Sequence, residues 1–157
     1  MLKRYQIVNQ KIVETAEEKA AVLLYLNPDE AEKRRLVDEY QIDEHTLASA
    51  LDPDEQSRLE CEPNHIAFIF KRPKNYSGDD QLLFKASTMG AFFFGDVLIL
   101  VAADDTVIFE GKQLARVTSL RELTIRLVYR AIYHFMEHLR IINMMADDVE
   151  HKINKAM

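Results

Sequence analysis

The sequence predicts an α/β domain that ends in one long helix. Three observations carry this. The apolar run Ala20–Leu26 has the length of a strand buried on both faces, and it stops at Asn27-Pro28-Asp29-Glu30, a helix start. Short apolar segments follow between Ile66 and Ala102, punctuated by Gly90 and Gly95-Asp96. From Ser119 to about Lys155 there is neither Pro nor Gly, and apolar residues recur at helical spacing.

Composition bounds the function. A chain of 157 residues suits one domain and can bury a core without disulfides or metals. Hydrophobic residues make up 48% and charged residues 29%, a globular balance. The longest uninterrupted apolar run, Val97–Ala103, is far short of the roughly 20 residues a membrane-spanning helix needs. The first residues lack the apolar stretch of a secretory leader. A single cysteine, Cys61, leaves no intramolecular disulfide and no Cys-only zinc site, so a reduced, cytosolic setting is expected. The net charge is -6, from 20 Lys and Arg against 26 Asp and Glu, which weighs against nucleic acid as a partner. The two basic groups, Lys33-Arg34-Arg35 and Lys71-Arg72 with Lys74, have no interleaved aromatics and read as solvated surface. No Gly-rich phosphate loop or dinucleotide fingerprint occurs, so no organic cofactor is expected.

In order, Tyr5–Val8 and Lys11–Glu14 are strand-like, with β-branched residues in partial alternation, and Ala20–Leu26 is the buried strand. A helix is predicted over Pro28–Tyr40, capped by Asn27, with Pro28 at its first position and Asp29 and Glu30 at its positive end. Asp43 caps a second helix, His45–Leu51, which Asp52-Pro53-Asp54-Glu55 stops. Arg58–Glu62 leads through Pro63 into the strand Ile66–Phe70. Lys71–Asp80 reads as an exposed loop, and the strands Leu82–Ser87, Ala91–Phe94 and Val97–Ala102 follow. Gly95-Asp96 suits a two-residue hairpin turn. Thr106–Lys112 is ambiguous between edge strand and loop. Ser119 caps the last helix, and Glu122 stands at capping-box spacing. We therefore divide the chain into residues 1–118, an α/β domain, and 119–157, a long amphipathic helix.

The last helix carries a seam. Val128, Ile132, Phe135, Leu139, Ile142, Ala146, Val149, Ile153 and Ala156 alternate spacings of four and three, a heptad pattern. Thirty-seven residues at ~1.5 Å each span roughly 55 Å, more than the body they grow from. The first half is expected to pack on the sheet and the second to find another helix; the alternative is a break near Asn143 and a return to the core. The seam runs on to Ala156 with no Gly, Pro or polar cap, which predicts a piece of a longer chain.

Candidate chemistry is sparse. His134-Phe135-Met136-Glu137-His138 matches His-x-x-Glu-His, whose two histidines share a helix face and can chelate zinc; a catalytic site needs a third ligand, and a polar helix face is the plainer reading. Cys61 and His65 lack an orienting third group. Met136, Met144 and Met145 read as packing residues. The acidic pairs are better candidates. Asp79-Asp80, Asp104-Asp105 and Asp147-Asp148 with Glu150 offer the oxygen ligands that Mg2+ prefers, and a pair could be completed across an interface; each alone also reads as solvated surface.

The order of elements, the block Leu51-Asp52-Pro53-Asp54-Glu55 with Arg58-Leu59-Glu60 before the strand Ile66–Phe70, and a terminal helix carrying Leu139, Ile142, Asp148, Val149, Glu150 and Ile153 resemble the cytoplasmic part of the CorA family of magnesium and divalent-cation channels. The resemblance covers nearly the whole chain. It implies an α/β/α sandwich with a mixed sheet, then a long C-terminal stalk helix that leads to the membrane. It implies no enzyme, but a regulatory domain at the cytoplasmic face of the cell membrane that senses intracellular cation and couples it to a pore. Mg2+ is the implied regulatory ligand, weakly bound. The implied metal residues are Asp79 and Asp80, as half of an intersubunit site whose second position lies outside this sequence; Asp147, Asp148 and Glu150 stay candidates on their own chemistry. The implied partner is the chain itself, as a homopentamer in the full-length protein and as a monomer or weak oligomer here. The family's Gly-Met-Asn pore motif and both membrane helices are absent from this sequence. The competing expectation is a soluble module that self-associates through the seam without sensing cations.

Overall fold

A computed structural model describes residues 1–74, 84–104 and 108–156. Seven strands form one sheet: β1 (Leu2–Val8), β2 (Lys11–Glu14), β3 (Val22–Leu26), β4 (Arg58–Cys61), β5 (Ile66–Pro73), β6 (Ala86–Phe93) and β7 (Leu98–Ala102). Their order is β2-β1-β3-β7-β6-β5-β4. Among the described residues only β3 and β7 pair parallel, Leu24 opposite Leu100; the other neighbours are antiparallel. The sheet is therefore mixed. Central β3 and β7 are buried along their whole length, as a strand covered on both faces must be. The β1–β2 hairpin turns at Asn9 and Gln10, both left-handed at φ 49° and 64°, the two-residue turn whose twist matches the strands.

One face of the sheet is covered by α1 (Glu30–Tyr40) and α2 (Glu44–Ser49), where Leu36, Ile42, Leu47 and Ala50 meet Leu23, Tyr25, Ile69, Phe92 and Val101. The other face meets α3 (Leu120–Ala156) and a 3-10 turn at Lys112–Leu114, where Leu114, Leu123, Leu127 and Ala131 close on Leu24, Phe70, Met89 and Leu100. This is the α/β/α sandwich with a long C-terminal helix.

Local chemistry explains each helix start. Asp29, not Asn27, caps α1: its carboxylate accepts from the Glu32 amide (2.8 Å), and the Glu32 carboxylate accepts from the Asp29 amide (3.1 Å), a complete capping box. Asn27 instead takes a left-handed bend, its amide donating to Ala102 O. Asp43 caps α2 through the Thr46 amide. At α3 the Glu122 amide donates to Ser119 Oγ, while the Glu122 carboxylate reaches one residue further back than a capping box requires, to the Thr118 amide and hydroxyl. These bonds and Arg126 hold its carboxyl at about 2.

The helix α1 ends on Gln41, left-handed at φ 55°, with the Ile42 amide returning to Leu36 O. Exposed Gln41 carries the cost of a Cβ in that conformation. Gln41→Gly is expected to stabilise the fold by roughly 0.5–1 kcal/mol, read as a higher urea midpoint with an unchanged slope.

Several expectations change. Arg58–Cys61 is an edge strand rather than a lead-in. The strand β5 runs on through Pro73, so residues 71–73 belong to the sheet and not to an exposed loop. Gly90 does not divide two strands: β6 is continuous across it, paired with Ile69 and Val101. A Cβ on Gly90 would lie 2.6 Å from the Ala50 Cβ and 2.8 Å from the Phe92 ring, so the glycine admits α2 to the sheet. The stretch 82–83 lies outside the described residues, as does 105–107; Ile108–Gly111 is irregular.

Candidate functional site

The helix α3 is the element whose sequence and placement diverge most. It is continuous through Asn143, so it neither breaks nor folds back. Its main contacts are to β5, β6 and the 3-10 turn. The residues it buries are Leu123, Thr124, Leu127, Ala131 and His138. That face is not the heptad seam. Val128 and Phe135 are half-buried, but Ile132 is 56% exposed and Leu139 50%. The first half of the seam therefore lies beside the sheet-facing stripe rather than on it. From Ile142 to Ala156 every residue is exposed.

At ~100° per residue, the exposed apolar surface changes side along α3. Ile125, Tyr129, Ile132 and Met136 face away from the sheet. Ile142, Met145, Val149 and Ile153 instead continue the sheet-facing line past the end of the body, around a shallow apolar depression of about 510 Å³.

The last inward contact is a histidine pair. His138 is 4% exposed, its ring 4.5 Å from that of His134 and 4.9 Å from Phe84. Burial holds both imidazoles below their usual range; His138 adds to this for His134, and Glu137 opposes it for both. Glu137 is exposed. Among the described residues no three His, Cys, Asp or Glu are grouped to hold a metal, so the His-x-x-Glu-His spacing acquires no third ligand. The pair predicts acid sensitivity. In the unfolded chain histidine takes its proton near ~6.5, while the folded pair resists it, so stability is kept above that pH and falls as pH drops below it. His138→Phe is expected to flatten the decline in Tm between about pH 7 and pH 5. A residual slope remains from His134 and His65, both also held low by burial.

The acidic candidates separate. Asp79, Asp80 and Asp105 lie outside the described residues. Asp147, Asp148 and Glu150 lie on the exposed end of α3, where Asp148 pairs with Lys152 at 2.6 Å. Asp104 is engaged by Arg72 and by Lys74. This corrects the reading of Arg72 as solvated surface. It is 9% exposed, opposite Ser87 in the β5–β6 register. Burial pushes its guanidinium down, Asp104 pushes it up, and Arg130 adds a smaller downward push.

The Leu51–Glu60 block proves to be a knot of polar bonds. Arg58 reaches Glu60 (2.6 Å), Glu55 (3.0 Å) and Ser49 Oγ (3.0 Å), and Thr46 Oγ1 donates to Glu60 (3.1 Å). Asp52 accepts from the Asp54 amide, and Lys71 Nζ donates to Pro53 O. The block therefore ties α2 to the edge strand β4.

No protein-family model matches the chain, and no curated protein matches it by sequence. Solved structures do. The soluble domain of CorA from Methanocaldococcus jannaschii superposes with a TM-score of 0.70 at 15% identity, over 97% of this chain and 63% of that one. The chain has the CorA soluble-domain fold. The complete CorA magnesium transporter of the same organism gives a TM-score of 0.64 at 17% identity, over 96% of this chain and 50% of that one. The ZntB cytoplasmic domain from Vibrio parahaemolyticus gives 0.56 at 13% identity, over 98% of this chain and 63% of that one. The chain thus spans between half and 63% of the length of these structures. Among the described residues no helix is long and apolar enough to cross a membrane.

Proposed function

We propose that this CorA-like domain is the cytoplasmic regulatory part of a divalent-cation transporter, lying at the cytoplasmic face of the membrane and coupled to a pore through α3. The observation that carries the reading is α3 itself, anchored on the sheet by its first half and projecting beyond it with an uncovered apolar stripe. A stripe of this composition suits a bundle. With Ile132, Leu139 and Ile153 at one core position of the heptad and Ile142 and Val149 at the other, β-branched residues fall where assemblies of more than two helices prefer them. In the membrane the proposed assembly is a homopentamer; alone, the chain is a monomer or weak oligomer.

Mg2+ is the proposed regulatory ligand. It keeps several waters and accepts one or two carboxylates, so Asp147 and Glu150, three apart on α3, supply a fitting partial set. Asp148 would have to leave Lys152 to join them. Asp79 and Asp80 are the proposed ligands from the loop side of the intersubunit site. Hydrogen exchange with and without millimolar Mg2+, beside light scattering at matched ionic strength, tests this. Protection rising at residues 79–80 or 147–150, lost in Asp147→Asn with Glu150→Gln, is the expected result. Self-association through α3 with no Mg2+ response would replace sensing with the interaction-module reading.

A further inference from the structure

The outer surface of α1 and α2 carries a groove that neither the sheet nor α3 fills. Glu30, Lys33, Arg34, Val37 and Asp38 form one face of α1; Glu44, Leu47, Ala48, Leu51 and Asp52 form one face along α2 and its exit. Both sets repeat at three- and four-residue spacing, so two helical faces converge on a shared trough of about 590 Å³. Its floor is apolar: Leu47 is buried, Val37 and Leu51 half-buried, and Ala48 exposed. Its rim is acidic. Lys33 is paired with Glu30 at 2.8 Å, which leaves Arg34 against Asp38, Glu44 and Asp52.

We infer that this groove docks a short amphipathic helix of a partner polypeptide, apolar on its inner face and flanked by Lys or Arg. The two helical faces line the trough from two sides, and it is of the size that takes several side chains of a short helix. The rim sets the sign of the partner: four carboxylates against Lys33 and Arg34 leave an acidic excess that repels anionic lipid and nucleic acid and favours cationic flanks. A second copy of this chain matches poorly, because the exposed stripe at the end of α3 carries Asp147, Asp148 and Glu150 beside Arg140, Lys152 and Lys155 and so lacks the cationic excess the rim favours.

The test uses two synthetic 12-residue helical peptides with the same leucine face, one flanked by lysines and one by glutamates, titrated into the labelled chain and followed by NMR. The lysine peptide is expected to shift resonances across residues 30–52 and to bind at least about tenfold tighter than the glutamate peptide. Ala48→Arg, at an exposed floor position, should abolish those shifts, and Asp38→Lys with Glu44→Lys should invert the preference. Ile132→Glu on α3 should leave both unchanged. Equal binding of the two peptides, shifts confined to α3, or concentration-dependent shifts at 30–52 without peptide would overturn the proposal; the last would assign the groove to a second copy. None of these outcomes depends on Mg2+.

Discussion

Replacing Asp104 with Ala is expected to destabilise the domain by about 3–5 kcal/mol and to lower Tm by on the order of 10 °C. The cause is what the substitution leaves behind. Arg72 sits on the α3 side of the sheet, 9% exposed, with Asp104 and Lys74 beside it and Arg130 adding to the positive field. Arginine does not shed its proton at neutral pH, so loss of the carboxylate strands a buried cation. The pair itself need not be strongly stabilising. Arg72→Met combined with Asp104→Asn removes both charges and should cost far less than Asp104→Ala alone. Thermal unfolding of the two variants and the parent at one pH decides this; equal losses in the single and double variants would show that packing at Arg72, not charge, governs the site.

Gly90→Ala is the second large effect, an expected loss of about 2–3 kcal/mol from a single methyl. The added Cβ meets the Ala50 Cβ at 2.6 Å and the Phe92 ring at 2.8 Å. Neither neighbour yields easily. Phe92 is fully buried, and Ala50 has no rotatable side chain, so α2 itself must lift from the sheet. Ala50→Gly should restore part of the loss in the Gly90→Ala background while destabilising the parent. A double-mutant cycle measured by urea unfolding would show a coupling energy of the order of 1 kcal/mol or more. Purely additive losses would mean that the Phe92 ring, not α2, takes the strain.

These two sites mark where sequence reasoning ran short. The central strands were legible because a strand buried on both faces must be continuously apolar, as Ala20–Leu26 and Val97–Ala102 are. The helix α3 was legible because its period persists for ten turns. The strand β4 was not, since an edge strand facing water on one side carries Arg58, Glu60 and Cys61 with only Leu59 as an apolar marker. Gly90 was taken as punctuation because its reason for being there, the approach of Ala50, lies 40 residues away in the chain. Arg72 was read as surface because its counter-charge stands 32 residues downstream. On α3 the heptad seam was visible, but which stripe meets the sheet was not: Leu123, Leu127 and Ala131 compete with Val128, Ile132 and Leu139, and only the placement of β5 and β6 chooses between them. For the candidate site the acidic pairs were visible as composition; whether a pair is already neutralised, as Asp104 is, required the fold.

The length of α3 beyond its last inward residue also has a mechanical side. From Ile142 to Ile153 every residue is exposed, a run of roughly 17 Å at ~1.5 Å per residue. A rigid rod held only at one end converts angle into distance. A tilt of ~10° about the Leu127–His138 footing would sweep the tip sideways by about 4 Å, roughly three-quarters of the ~5.4 Å helix pitch. A few degrees of slack in the packing of Leu127 or Ala131 would thus be felt at Ile153 as a change of neighbour, whereas the same slack at Leu36, inside the sandwich, would be absorbed where it arose.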